Sequence, residues 1–212
     1  MAMAKNMTMA KKRVTIVIPD AGPLISLAMG DALHLLLALR PGVRLVLTDF
    51  VHFEATVFAD RFLDGAQIAS FIKMNKAAIE VVATTIGEFA IPTIKEKLRK
   101  DPNAPWPHDL GELSISSFIT TSKDFNPGEP TLVLIEDDWF TANAYAVPGN
   151  VHLLSTSAFL DGLEAEGIIE SAAAVRKLIQ GKRPGFKIEF KLDKEAEKIP
   201  AGTRWRKSFQ PR

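Results

Sequence analysis

The sequence predicts an α/β fold in which a mostly parallel sheet is covered on both faces by helices. Three observations carry this. Short β-branched runs alternate with longer amphipathic segments along most of the 212 residues. The first run, Val14–Ile18, is apolar at nearly every position, as in a strand buried on both faces rather than half-exposed in an antiparallel sheet. Each run is separated from the next by enough chain for a helical crossover.

Taken in order, Val14–Ile18 is the first strand and Pro19, which lacks an N–H, ends it. Asp20 therefore lies at the strand's carboxyl end, the edge at which open α/β sheets meet ligands. Ala21-Gly22-Pro23 turns the chain into a helix through Leu24, Ile25, Leu27 and Ala28. Asp31 is placed to cap a second helix, 31–40, stopped by Pro41-Gly42. Residues 44–50 form the second strand. Residues 51–59 form a helix with Val51, Ala55 and Phe58 on one face and Glu54 one turn in. A helix over 64–78 and a strand over 79–85 follow. Residues 86–100 read as helical with a break near Pro92.

The segment 101–109 holds three prolines and reads as a loop. Asp109-Leu-Gly-Glu112 opens a helix over 110–122, and 125–130 is a turn. The run 131–136, TLVLIE, is a strand, and Asp137-Asp138 starts a short helix to 146. Residues 150–155 form a last strand. Helices over 156–167 and 171–181 each end at glycine. Three segments result: a basic N-terminal tail (1–13), a body (14–181) and a basic C-terminal extension (182–212).

Charge is distributed unevenly. The net charge is +1, yet residues 1–13 carry four Lys/Arg and no acid, and residues 182–212 carry ten Lys/Arg against four acids. The body between them holds 12 Lys/Arg against 21 acids. Such a body suits cations and such ends suit a polyanion; solvated tails that keep the chain dispersed have the same composition. The absence of cysteine excludes disulfides and thiolate chemistry, and four scattered histidines make no metal motif. The N-terminus has no apolar core segment and no apolar run approaches a membrane span, so a soluble cytoplasmic protein with no membrane contact is expected. Phosphate-binding glycine loops and a GxSxG elbow are lacking.

Acids recur at strand ends: Asp20 after the first strand, Glu54 after the second, Asp109 and Glu112 at a helix start, and Asp137 and Asp138 after TLVLIE. Gathered at one sheet edge, they would repel each other unless protonated or neutralised. Hard divalent cations neutralise such clusters. Each acid also has a local structural use. Asp20 can cap a helix, Asp109-x-x-Glu112 can form a capping box, Asp137 and Asp138 can complement a helix dipole, and Glu54 can be a solvated surface residue.

PDAGPLISLA, a glutamate after the second strand, DLGE opening a helix, and VLIEDDWFTANAYA, in that order, resemble the PIN-domain family. The likeness is to the branch near the toxin ribonucleases of bacterial toxin–antitoxin pairs and spans about 14–181. It implies a three-layer α/β/α sandwich and a Mg²⁺- or Mn²⁺-dependent endoribonuclease site. The implied catalytic acids are Asp20, Glu54, Glu112 and Asp137; the implied metal ligands are Asp20, Glu112 and Asp137, with Asp109 and Asp138 beside them. It also implies an RNA substrate, an antitoxin-like protein partner and a chain able to form a homodimer. Related sequences often carry a basic residue soon after the paired aspartates; here Trp139 and Asn143 occupy that region. The other reading is a catalytically silent PIN-like module that binds protein or RNA, with Trp205, Phe209 and the basic extension as contacts.

Overall fold

The computed structural model describes residues 14–143 and 147–186. The basic N-terminal tail, residues 144–146 and the extension from 187, including Trp205 and Phe209, lie outside the described residues.

Among the described residues five strands form one all-parallel sheet: β1 (Ile16–Pro19), β2 (Arg44–Thr48), β3 (Ile79–Val82), β4 (Thr131–Ile135) and β5 (Val151–Ser155). Their order is β3-β2-β1-β4-β5. Helices α1 (Ala21–Met29), α2 (Asp49–Thr56), α3 (Leu63–Met74), α4 (Thr85–Lys100), α5 (Leu110–Thr121), α6 (Trp139–Ala142), α7 (Thr156–Ala165) and α8 (Ala172–Lys182) complete the α/β/α sandwich. Helix α1 packs between α3 and the α7–α8 pair, whereas α2 packs with α4 and α5.

The central strands are continuous apolar runs because helices cover both faces. All four residues of β1 and all five of β4 are buried. The main core includes Ile16, Val17, Leu24, Leu47, Phe118, Leu132, Phe140 and Phe159. A smaller cluster of Phe50, Phe53 and Ile94 joins α2 to α4 and to Trp106. No helix among the described residues is long and apolar enough to cross a membrane.

Several local expectations differ from the structure. The helix expected over 31–40 is a short 3-10 turn, Leu33–Leu37, in which Leu33, Leu35 and Leu36 are all buried. Its bonds run i to i+3, as in Leu35 N–H to the Ala32 carbonyl at 3.0 Å. Burying three leucines within four residues, with His34 exposed between them, suits this tighter winding. Asp31 does not cap it; its φ is 54° and its carboxylate pairs with Lys182 at 2.8 Å.

The second strand ends at Thr48 rather than residue 50. Thr48 accepts a hydrogen bond from Val51 N–H at 3.3 Å and so caps α2. Phe58 falls beyond the end of that helix. Helix α4 runs unbroken through Pro92. Its apolar stripe, with Ile86, Ala90, Ile94 and Leu98 against Phe50 and Phe53, holds the two turns in line where proline removes one backbone bond. The packed body continues past 181: α8 runs to Lys182 and Phe186 lies in the core.

Candidate metal centre at the carboxyl edge of the sheet

The strand order places the site. The chain builds outward from β1 through β2 to β3, then returns to add β4 on the other side of β1. The β1–β4 boundary is thus the switch point, where the crevice outside the carboxyl ends of the strands opens. Pro19 pairs with Leu134, and Asp20 N–H donates to the Leu134 carbonyl at 2.9 Å. This register sets Asp20 beside the exit of β4, from which Asp137 emerges two residues after Ile135.

Glu112 arrives from α5. Its first turn is fastened by buried hydroxyls: Ser114 Oγ donates to the Gly111 carbonyl at 2.6 Å and lies 2.6 Å from Thr48 Oγ1. The residue that caps α2 thereby also ties down the start of α5. Gly111 is required by the close approach. A Cβ there would lie 2.8 Å from Glu54 Oε2 and 2.9 Å from Asp20 Oδ1, closer than real Cβ contacts. Glycine therefore lets the start of α5 rest directly on two carboxylates.

The result is a triad. One carboxylate oxygen each from Asp20, Glu112 and Asp137 lies within 4.8 Å of the other two. Asp20 is buried, Glu112 half-buried and Asp137 exposed, so the cluster opens to solvent on one side. Glu54 stands next to it, with Oε1 accepting from Trp106 Nε1 at 3.2 Å and Oε2 facing Gly111 and Asp20. Trp106 comes from the proline-rich loop and is held against Phe53 and Phe58. It also forms one wall of an apolar groove of about 560 Å³ beside α4.

The structure does not draw Asp109 or Asp138 into the triad; both are exposed. Asp138 starts α6, and its carbonyl accepts from Ala142 N–H at 2.9 Å. Asp109 stands before α5 with a left-handed φ of 62° and makes no side-chain cap, so no capping box forms. Asp20 likewise occupies the N-cap position of α1 without a side-chain capping bond. Asp137 does serve its helix, since Oδ1 accepts from Trp139 N–H at 2.9 Å.

The electrostatics follow from this crowding. Burial, then the charge of Glu54, raise the Asp20 pKa to about 8 against a weaker lowering by the Ala21 backbone; Asp137 and Glu136 add to the rise. Burial, a hydrogen bond to Asp137 and the charge of Asp20 raise Glu112 to about 9. Burial raises Glu54 as well, opposed by the Trp106 bond. Asp20 Oδ1 is the one buried side-chain polar atom without a hydrogen-bond partner among the described residues. A buried acceptor left empty between like charges is poor design for stability alone. A divalent cation would satisfy it and offset the repulsion, so the donor set fits Mg²⁺ or Mn²⁺ with water completing the coordination.

No protein-family model matches the chain, and comparison with curated proteins and with solved structures finds no match. The site's reading therefore stands on its own geometry.

Three contributing residues lie outside the sequence reading. Gly111 and Trp106 act through approach distances that only the fold creates. Glu136 is legible only as the neighbour of Asp137 on a strand exit.

Proposed function

We propose that this protein is a divalent-metal-dependent hydrolase of phosphodiesters, with RNA as its substrate. Asp20, Glu112 and Asp137 would hold Mg²⁺ or Mn²⁺. The observation that carries the reading is Asp20 Oδ1, a buried, unpartnered carboxylate oxygen aimed into a cluster of acids at the switch point of a parallel sheet. RNA and an antitoxin-like partner follow from the resemblance of the DAGPL, DLGE and EDD motifs to PIN-domain toxins.

A bound ion supplies Lewis acidity, easing ionisation of water and offsetting charge on the phosphate. The chain's residues supply the rest. Asp20, placed by its backbone bond to Leu134, would be the deepest of the ligands. Asp137, on the open side, leaves room for a phosphate to approach. Glu54, kept in place by Trp106 and raised in pKa by burial, is the group suited to hold a proton at Oε2 during attack.

The test is cleavage of a broad RNA panel by purified full-length protein. Cleavage is expected with Mn²⁺ or Mg²⁺, lost in excess EDTA and lost in Asp20→Asn. Cleavage that persists in EDTA, or no cleavage of any RNA by metal-loaded protein, overturns the reading.

A further inference from the structure

Adjacent residues at a strand exit send their side chains to opposite faces. Asp137 turns to the α5 side and meets Asp20 and Glu112. Glu136 turns to the α1 side, where its side chain is only 9% exposed. There it accepts from Ser26 Oγ at 2.9 Å, from Thr156 Oγ1 at 2.5 Å and from Arg183 Nη1 at 2.5 Å. Arg183 Nη1 also donates to Ser26 Oγ and, at 3.2 Å, to the Gly22 carbonyl. Gly22 permits this closeness, since a Cβ there would lie 3.3 Å from the Glu136 Cβ.

One guanidinium just past the end of α8 thus grips the residue before Asp137 and the residue two after Asp20. We propose that Arg183 is a positioning residue for the Asp20–Glu112–Asp137 centre, clamping the exits of β1 and β4 in register and keeping Glu136 out of the ligand set. This rests on the metal-binding reading above. Without the guanidinium, Glu136 becomes a poorly solvated anion one peptide away from Asp137, and its route to solvent or to the cation drags Asp137 with it. All three contacts run through one nitrogen, Nη1, so a lysine ammonium that reached this point would keep the charge and part of the grip.

The same helix contains its own control. Arg176 pairs with Asp161 at 2.6 Å and reaches Ser157, joining α8 to α7 without touching the residues that flank the site. Full-length wild type, Arg183→Met, Arg183→Lys, Arg176→Met and Arg183→Met/Glu136→Gln should be titrated with Mn²⁺ by calorimetry and melted in EDTA. Arg183→Met is expected to weaken Mn²⁺ binding about 10–100-fold, the range for groups that orient metal ligands. Arg183→Lys should lose less. Arg176→Met should lower the melting temperature and leave Mn²⁺ affinity unchanged. The double variant should regain melting temperature without regaining affinity, because the hold on Gly22 is still missing.

Wild-type Mn²⁺ affinity in folded Arg183→Met, or an equal loss in Arg176→Met, would overturn the positioning role while leaving the metal centre standing. Absence of Mn²⁺ binding in the wild type, or binding indifferent to Asp20→Asn, would overturn the metal centre and this inference with it.

Discussion

Replacing Asp20 by asparagine separates a metal site from a helix cap most sharply. Asp20 is 5% exposed, and its pKa is raised from 3.8 to about 8, chiefly by burial and then by Glu54. A raised carboxyl pKa means that the folded state binds more protons than the unfolded chain between those two values. Stability of the metal-free protein therefore falls as pH rises from about 4 to about 8 and levels off above it. At roughly 1.4 kcal/mol per pH unit, the ceiling on this loss is on the order of 5 kcal/mol. Glu112 and Glu54 share the same repulsion, so the part removable at Asp20 alone is smaller, about 2 kcal/mol.

Asparagine keeps the shape and removes the charge. In EDTA at pH 8.5, Asp20→Asn should melt about 4–8 °C above wild type, and the difference should shrink toward pH 5. In excess Mn²⁺ the order should reverse, because only wild type gains RT ln(1 + [L]/Kd), about 2.7 kcal/mol at a hundredfold excess. Thermal melts of both proteins from pH 5 to 9, with and without Mn²⁺, give the full comparison. Parallel pH curves, with the variant equal to or below wild type at pH 8.5, would refute the reasoning.

Three further substitutions probe the surroundings. Gly111→Ala places a methyl 2.8 Å from Glu54 Oε2 and 2.9 Å from Asp20 Oδ1, so Mn²⁺ affinity by calorimetry should fall at least about tenfold. Gly87→Ala drives a methyl into the Asp49 carboxylate that accepts from Thr84 Oγ1 at 2.7 Å; chemical denaturation should show a loss of about 1–3 kcal/mol with Mn²⁺ affinity retained. Trp106→Phe keeps an aromatic body but removes the donor that lowers the Glu54 pKa, so the acidic limb of the pH–rate profile for metal-dependent RNA cleavage should move to higher pH.

Much of the architecture was legible because parallel sheets impose a simple pattern. The β1 and β4 runs are apolar apart from Thr131 since both faces are covered, and the intervening spacing allows crossovers. The misreadings arose where side chains at a junction decide the outcome. Asp49 and Phe50 read as a continuation of the strand, yet the Thr48 hydroxyl caps α2 and makes them its first residues. The leucine-rich 33–37 segment has helical composition but buries too much surface for a solvated helix. At the site, the sequence could place Asp20 and Asp137 at strand ends, and the strand order puts those ends side by side. It could not separate the acids that converge from Asp109 and Asp138, because that difference rests on a left-handed backbone and a helix start. Arg183 follows a glycine and lysine that read as the end of the body, whereas its contact with Glu136 joins residues 47 apart.

The central claim is that Asp20, Glu112 and Asp137 hold a divalent cation. Mn²⁺ binding followed by electron paramagnetic resonance, on wild type and Asp20→Asn at equal concentrations of folded protein, tests it most directly. The account predicts bound Mn²⁺ in wild type and its loss in Asp20→Asn; no bound Mn²⁺ in wild type, or the same bound signal in both proteins, would contradict it.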